Sequence, residues 1–485
     1  MRKCFRGSLL PICLLAAAAC GQVTTDAVDG APDVDGPPGV DAAPDVDAGL
    51  DVDASPTLDA SSVDAPPPID APPVTYSLDV RVDGSGTGAV TATGGSISCP
   101  GTCSATYPSG TTVTLAALPS GGSTFGGWSG ACSGTSSPCT VTMTQARSVF
   151  ATFNAPVAPN VMFVTSTTHT GNLGGLAGAD AICQARAQAG GLAGTYRAWL
   201  STSTVNANTR FGAASGWVRV DGKPFVATVA DLGAGKLFTP PRIDELGNDV
   251  GEVGAQTGTT VGGVFNTNGG DCAAWTSAAS AATATTGVTA GASAMFQVYG
   301  TSGCATAHRL YCFGVDRAAT VAPAPVAGTR KAFMRLWTPG GGITSADNAC
   351  QSDANAAGLS GTYRALLATS GASALSRFGL AGGAWHKVDH VGTLPTAQAW
   401  STATYLDAPP NLTANGQTNY GNYLHWTGAA TLTTAGTTAS TCNNWTDTAM
   451  TASTGIAGTS RVSAYFGPGS YQCNFTSATI TCLQL

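Results

Sequence analysis

GLAGTYRAWL, residues 191–200, returns almost letter for letter as GLSGTYRALL at 358–367. Outward from these two stretches the neighbouring text repeats as well. RFG stands at Arg210 and again at Arg377, W-x-x-V-D begins at Trp217 and at Trp385, and C-x-x-W-T begins at Cys272 and at Cys442. Four cysteines accompany each copy: Cys183, Cys272, Cys304 and Cys312, then Cys350, Cys442, Cys473 and Cys482. Their spacings are 89, 32 and 8 residues in the first set and 92, 31 and 9 in the second. The C-terminal two-thirds is therefore a tandem duplication of a cysteine-bearing domain, assigned to 158–316 and 330–485 with an Ala/Pro linker at 317–329.

Composition sets the compartment. The 485 residues include 15 cysteines, too many for a reduced cytosol without metal sites. Charged residues make up only 10% of the chain, which favours β-structure, turns and disulfides over salt-bridged helices. Arg2, Lys3 and Arg6 precede an apolar run at Leu9–Ala19, too short to span a bilayer and suited to a secretory signal. The run ends in small residues before Cys20, which resembles the lipobox of bacterial lipoproteins, although Ala17 stands where those prefer Leu. The resemblance implies a signal peptide over 1–20, lipidation of Cys20, and a lipid anchor in the bacterial cell envelope. Gly21 in place of Asp favours the outer membrane and a surface-exposed chain. Cleavage before Cys20 leaves twelve further cysteines, an even number, as disulfide pairing requires.

Residues 21–75 hold twelve Asp and ten Pro with no Lys, Arg, Glu or aromatic residue. Such a segment buries too little apolar area to offset its conformational entropy and reads as a disordered tether. Asp33-Val34-Asp35-Gly36 has the start of a calcium loop, but the segment lacks the bidentate Glu that would complete it. Removing the tether's twelve carboxylates and the leader's three cations from the formal −7 leaves +2 for residues 76–485, with no basic stripe for nucleic acid.

Residues 76–154 alternate in strand fashion at Tyr76, Leu78, Val80 and Val82, and again over Thr111–Ala117 and Arg147–Phe153. Cys99 with Cys103, and Cys132 with Cys139, are close enough for two local disulfides that compensate for a small core. Phe125–Cys132 (FGGWSGAC) and Cys139–Phe153 together resemble the divergent internalin-type bacterial repeat, a small β-rich spacer of surface proteins. Phe125 and Trp128 then serve either as a sugar-stacking platform or, for so small a domain, as its core.

In the duplicated domain a strand at Val161–Ser166 leads to a helix starting near Gly178. Ile182, Ala185 and Ala189 share one face, Cys183 lies beside them, and Gly190-Gly191 ends the helix. Arg309–Cys312 reads as the last strand. Gly174–Ser201, and the ending Cys272-x-x-Trp275-Thr…Cys304-(3)-His308-Arg-Leu-Tyr-Cys312, resemble endostatin and, more closely, a bacterial lipoprotein domain family of unknown function. The fold class implied is multidomain: a small all-β module, then two disulfide-bonded α+β domains of C-type-lectin-like, endostatin-like form, each a mostly antiparallel sheet with a long loop region. Four cysteines allow three pairings. The resemblance selects a nested one, with outer bridges Cys183–Cys312 and Cys350–Cys482 and inner bridges Cys272–Cys304 and Cys442–Cys473. Endostatin's heparin-binding arginine cluster and its zinc-binding histidines have no counterparts, and residues 159–315 of copy 1 carry eight basic against eight acidic residues. The calcium and sugar motifs of calcium-dependent lectins are missing too. Asn443-Asn444-Trp445-Thr446-Asp447 comes nearest, and copy 1 has Ala273, Ala274 and Ser277 there.

No nucleophile elbow, metalloprotease motif, phosphate loop or dinucleotide fingerprint occurs, so no catalytic residue, metal ligand or cofactor is assigned. His386 and His390 have a helical metal spacing, but Trp385–Asp389 reads as a strand and the two as solvated histidines. His169, His308 and His425 are isolated. Asp244-Glu245 is a paired-carboxylate candidate that reads rather as a solvated loop pair, and Trp275 and Trp445 read as packing on the inner cysteines rather than as ligand-stacking surfaces. The text between W-x-x-V-D and the third domain cysteine differs between the copies. Copy 2 is richer there in Tyr and Asn, residues that suit carbohydrate or protein contacts. Ligand binding is therefore placed in residues 405–426, on Tyr420 and Tyr423. The expected function is a non-enzymatic, membrane-anchored protein that binds a glycan or an extracellular protein. The alternatives are an inert or self-associating surface spacer and an enzyme on a lectin-like fold; the oligomeric state is not legible.

Overall fold

The structure is a computed structural model; it describes residues 72–378, 383–394, 397–418, 424–467 and 469–485. Eight short strands form the N-terminal module: β1 (Thr75–Asp83), β2 (Thr87–Ala92), β3 (Ser98–Cys99), β4 (Ser104–Pro108), β5 (Thr112–Ser120), β6 (Thr124–Gly130), β7 (Cys139–Thr142) and β8 (Arg147–Asn154). They make two four-stranded sheets, β4-β1-β8-β6 and β3-β2-β5-β7. Leu78 and Val80 of β1, Val113 and Leu115 of β5, and Val149, Ala151 and Phe153 of β8 are buried at alternate positions, so both sheets contribute to one core. Disulfides Cys99–Cys103 and Cys132–Cys139 brace its loops.

Copy 1 is built from β9 (Asn160–Val164), α1 (Gly175–Ala189), β10 (Tyr196–Ala198), β11 (Trp217–Arg219), β12 (Pro224–Val226), α2 (Val229–Gly233), β13 (Gly254–Gln256), β14 (Thr283–Val288), β15 (Gly300–Gly303) and β16 (Arg309–Gly314). Its sheet runs β12-β11-β9-β16-β13-β14-β15, with β10 also on β16. Copy 2 repeats this order with β17 (Arg330–Leu336), α3 (Gly342–Ala356), β18 (Tyr363–Ala365), β19 (Trp385–Lys387), β20 (Gly392–Leu394), α4 (Ala397–Thr402), β21 (Leu424–Trp426), β22 (Thr451–Ile456), β23 (Gly469–Gln472) and β24 (Thr479–Gln484). The sheets are mostly antiparallel, with two parallel pairings in each: β11 runs parallel to β9 and β13 parallel to β16, and copy 2 matches.

β16 and β24 are the central strands, buried on both faces. Leu310 and Cys312 face α1, while Tyr311 and Phe313 face the cluster around Trp199 and Trp217. Helix α1 buries Ala179, Cys183 and Ala187, whereas Ala185 and Ala189 are exposed. The buried face thus passes through Cys183 rather than through Ile182, Ala185 and Ala189. The Cys183–Cys312 disulfide, with Cα atoms 5.4 Å apart, ties that face to the central strand. Cys350–Cys482 does the same at 5.5 Å, and Cys272–Cys304 and Cys442–Cys473 close the inner loops. An outer bridge spans 129 or 132 residues, and loops of that size correspond to about 4–5 kcal/mol in the chain-entropy account.

The repeated words of the sequence are framework contacts. Arg210 of the first RFG grips Asp180 of α1 through two bonds of 2.7 Å; Arg377 reaches Asp347 of α3 at 2.5 Å. Those aspartates accept from the amides of Ala198 and Ala365, each at 2.9 Å, and so fix helix to strand. The indole N–H groups of Trp217 and Trp385 donate to Gly314 O and Gln484 O, each at 2.8 Å.

Candidate functional site

The short helices α2 and α4 lie beside the loops that follow β13 and β21 respectively, and a groove opens at that place in both copies. In copy 1 it is a cavity of about 620 Å³ between Val229, Ala230 and Ala234 on one side and Asn208, Val261 and Gly262 on the other. Asn208 donates to Gly262 O at 2.8 Å, while its Oδ1 is buried without a hydrogen-bond partner among the described residues. In copy 2 the groove measures about 310 Å³. Its floor is Trp400, Leu432 and Phe466, all buried, and its rim carries Thr404, Thr431, Thr433 and Ser463. Trp400 packs edge-on to Trp385, 6.2 Å between centroids, and its indole N–H is buried with no acceptor among the described residues. An apolar floor, a hydroxyl rim and no charged lining residue suit an uncharged polar ligand better than a polyanion.

The stretch 405–426 falls in three parts. Leu406, Ala408, Asn411 and Leu412 are buried, so this portion packs inside the molecule instead of forming an open loop. Residues 413–418 form a turn in which Thr413 Oγ1 accepts from the amide of Gln417 at 3.1 Å. Tyr420 and Tyr423 lie outside the described residues, as do Cys20 and residues 21–71 of the tether, whose last residue, Thr75, already belongs to β1.

Asp244 and Glu245 are not a solvated pair: they are 4% and 1% exposed. Asp244 Oδ1 accepts from the amides of Leu246 and Asn248 and shapes a turn. Glu245 accepts from the Ser166 amide at 2.8 Å and hydroxyl at 2.5 Å, and from Arg186 Nε at 2.7 Å. Burial alone would raise its carboxyl, but the bonds from Ser166 and Arg186 hold it below the usual carboxylate range. The pair anchors a loop to α1 and is spent on structure. The sequence carries no signal for this: Pro241–Glu245 is a buried run in the fold, and three of its five residues are charged.

His386 and His390 do not lie along one strand. β19 ends at Lys387, and His390 sits in the turn to β20 with φ 71°. The two are half-buried rather than solvated: His386 Nδ1 lies 2.7 Å from the His390 carbonyl, and His390 Nδ1 lies 2.9 Å from Lys331 Nζ. His169 and His308, far apart in sequence, exchange backbone hydrogen bonds of 2.7 and 2.9 Å. Among the described residues no group of three or more His, Cys, Asp or Glu is placed to hold a metal ion.

His425 is fully buried, packed at a tilt against Tyr465 with ring centroids 4.7 Å apart, and 3.1 Å from the hydroxyls of both Thr479 and Thr481. Copy 1 fills the same place with Ala255, Phe296 and Tyr311. One copy thus sets a small residue against a large one where the other reverses the sizes, which keeps the core volume. Trp275 and Trp445 are also fully buried, donating to Ser201 O at 2.8 Å and Ala368 O at 2.9 Å. Phe125 and Trp128 touch at 5.0 Å within the core cluster of the module.

A left-handed turn is shared by both copies and is not legible as a motif. Cys272, Ala273, Ala274 and Trp275 have φ between 52° and 64°, and Cys442–Trp445 between 49° and 70°. The Asp271 carboxylate and the Thr441 hydroxyl cap these turns by accepting from the amides of Ala274 and Asn444. Asn444, part of the nearest approach to a calcium motif, instead holds Ser370 through bonds of 2.7 and 2.9 Å.

Two family models match the chain. Residues 86–156 are similar to the divergent InlB B-repeat domain. Residues 166–292, most of copy 1, are similar to a family described as a protein of unknown function, DUF1554. No curated protein matches the chain. Among the described residues no helix is long and apolar enough to cross a membrane.

Proposed function

We propose that the chain is a non-enzymatic, surface-anchored binding or adhesion protein. Cys20 carries the lipid that holds it in the outer membrane, and residues 21–75 are the tether. Residues 76–154 act as a spacer, and 158–316 and 330–485 are C-type-lectin-like domains joined at 317–329. The lectin-like assignment draws support from one helix pinned to a mixed sheet by nested disulfides, with long strand-poor loops beside it. The observation that carries the binding function is the copy 2 groove: an aromatic floor under a ring of threonine and serine hydroxyls, at the loop end of a rigid scaffold. A glycan or an uncharged segment of an extracellular protein is the ligand class, with Tyr420 and Tyr423 as additional contacts.

The test is a glycan-array and matrix-protein binding screen of the wild-type chain beside Thr433→Arg and Ser463→Arg, two exposed rim positions. Binding that falls at least tenfold in both variants supports the groove, and unchanged binding removes it. A second reading, a structural spacer without ligand, is favoured by the burial of Leu406–Leu412. It would be sustained if the screen finds no ligand at all.

A further inference from the structure

Sheet register relates the two copies residue by residue. Val288 stands opposite Gly254 in copy 1, and Ile456 opposite Leu424 in copy 2, so residues following β14 and β22 correspond at a separation of 168. On that count Ala290 corresponds to Gly458, Gly291 to Thr459 and Ala292 to Ser460. These residues meet each other. The amide of Ala292 donates to Gly458 O at 2.9 Å, and the amide of Ser460 donates to Ala290 O at 2.8 Å. Gly291 and Thr459 form an antiparallel bridge. An exchange of equivalent donors and acceptors is what a two-fold, isologous interface produces. A second set obeys the same relation: Pro224 pairs with Val218 as Gly392 pairs with His386, and Pro224 and Gly392 line one cavity of about 280 Å³.

The side chains at this seam break the symmetry that its backbone keeps. Lys387 of copy 2 is fully buried and donates to Phe238 O at 3.0 Å and Leu237 O at 3.3 Å, both in copy 1, and to Asn411 Oδ1 at 3.2 Å. Its equivalent two residues after the shared tryptophan, Arg219, donates instead to Pro240 O within its own copy at 2.9 Å. Arg242 of copy 1 reaches the other way, to Ser460 Oγ at 3.1 Å, with its guanidinium 4.3 Å from the ring of Tyr405. Asn411 donates to Ala292 O at 2.5 Å, and the Glu252 amide donates to the Tyr405 hydroxyl at 2.9 Å. Burying a cation is costly unless acceptors surround it. Each cation keeps a carboxylate of its own copy, Asp389 for Lys387 at 3.2 Å and Asp249 for Arg242 at 2.9 Å, but the Leu237 and Phe238 carbonyls and the Ser460 hydroxyl reach them only from the unlike copy; two like copies would bring each cation to a surface that did not evolve to receive it.

The four disulfides of this region each close within one copy, and residues 324–328 between the copies are exposed. We propose that the seam is an association surface in its own right, whose partner is the unlike copy. The two domains hold together as a pseudo-two-fold pair without the peptide connection, and the linker serves only to raise their local concentration.

The experiment uses the full chain with a specific protease site inserted between Pro325 and Val326 and an affinity tag at the C-terminus. The protein is cut in detergent under non-reducing conditions, and the tagged half is captured. The expected result is retention of the N-terminal half in one-to-one ratio at micromolar concentration. Lys387→Met and Arg242→Met, cut in the same way, should each release it at least tenfold faster, while the uncut variants keep a single cooperative unfolding transition. Mixing cut proteins bearing different tags should yield no pairs of like halves. Release or aggregation of the wild-type halves on cutting overturns the proposal, as does equal capture of like halves.

Discussion

The ammonium of Lys387 lies 3.0 Å from the carbonyl oxygen of Phe238, a contact that joins the second copy to the first through a fully buried charge. Desolvation lowers the pKa of this lysine, and the Asp389 carboxylate, 3.2 Å away, opposes the shift. Lys387→Met keeps the stem but leaves two carbonyls and Asn411 Oδ1 without a donor. Unsatisfied buried acceptors cost about 1–3 kcal/mol each, so the variant is expected to be less stable by about 2–4 kcal/mol overall. Urea denaturation followed by tryptophan fluorescence measures this; a loss under about 0.5 kcal/mol, the range of surface changes, would show that the seam contributes little.

Glu245 offers a second buried charge with a defined pH response. Its side chain is fully buried beside Arg186. Because the folded carboxyl is held below its ordinary value, its contribution is present above the unfolded pKa and is lost as pH falls through the folded one. Glu245→Gln should therefore cost about 2–4 kcal/mol at pH 7, and the gap between variant and wild type should narrow as pH falls below the ordinary glutamate range, about 4.3. A gap that stays constant down to pH 3 would assign the loss to shape rather than charge.

His425 acts in the opposite sense at milder pH. Burial holds its imidazole at about 3, far below the ordinary 6.5, so the folded chain keeps it neutral while the unfolded chain protonates it. Stability is full above 6.5 and declines as pH falls from there toward 3. At pH 5 the loss amounts to about 2 kcal/mol by linkage. His169 and His308, also lowered by burial, shift stability in the same direction in copy 1. Comparing wild type with His425→Asn isolates the effect, since the variant should lose about 2 kcal/mol less than wild type between pH 7.5 and pH 5. Identical pH dependence of the two proteins would refute the assignment.

The duplication was legible because cysteine spacing and framework words survive drift. Arg210, Trp217, Cys183 and their partners each make contacts that any replacement would break. The helix face is not legible from its apolar residues because alanines carry too little hydrophobic contrast to mark it, and the disulfide at Cys183 decides which way α1 turns. Asp244-Glu245 looked solvated because charge pairs usually are; a guanidinium 59 residues away in sequence keeps Glu245 inside. The divergent stretches Pro241–Asn248 and Leu406–Asn411 looked like free loops. They face the seam, where duplication released the two halves from having to stay identical, so Arg242 and Asn411 could specialise on opposite sides. The grooves left no motif, since hydroxyls and apolar floors come from residues scattered over short helices and loops.

The left-handed turns carry the last prediction. L-residues in this region cost roughly 1–2 kcal/mol each, with Asn and Gly the tolerated exceptions. Copy 2 has Asn443 and Asn444 at the two central positions, while copy 1 has Ala273 and Ala274 with nearly the same φ, 55° and 54°. Both alanines are exposed and their side chains make no packing contribution that asparagine would destroy. Copy 1 therefore holds strain that copy 2 has relieved at its two central positions, maintained by the Cys272–Cys304 bridge and the burial of Trp275 on either side. Ala273→Asn and Ala274→Asn should each stabilise the chain by about 0.5–1 kcal/mol, and Ala274→Gly by a similar amount despite the added backbone entropy of the unfolded state. The reverse change, Asn443→Ala, should destabilise by about the same amount. Thermal unfolding of the four variants reads the sign directly: destabilisation by both copy 1 asparagines would mean that this backbone does not adopt the left-handed turn.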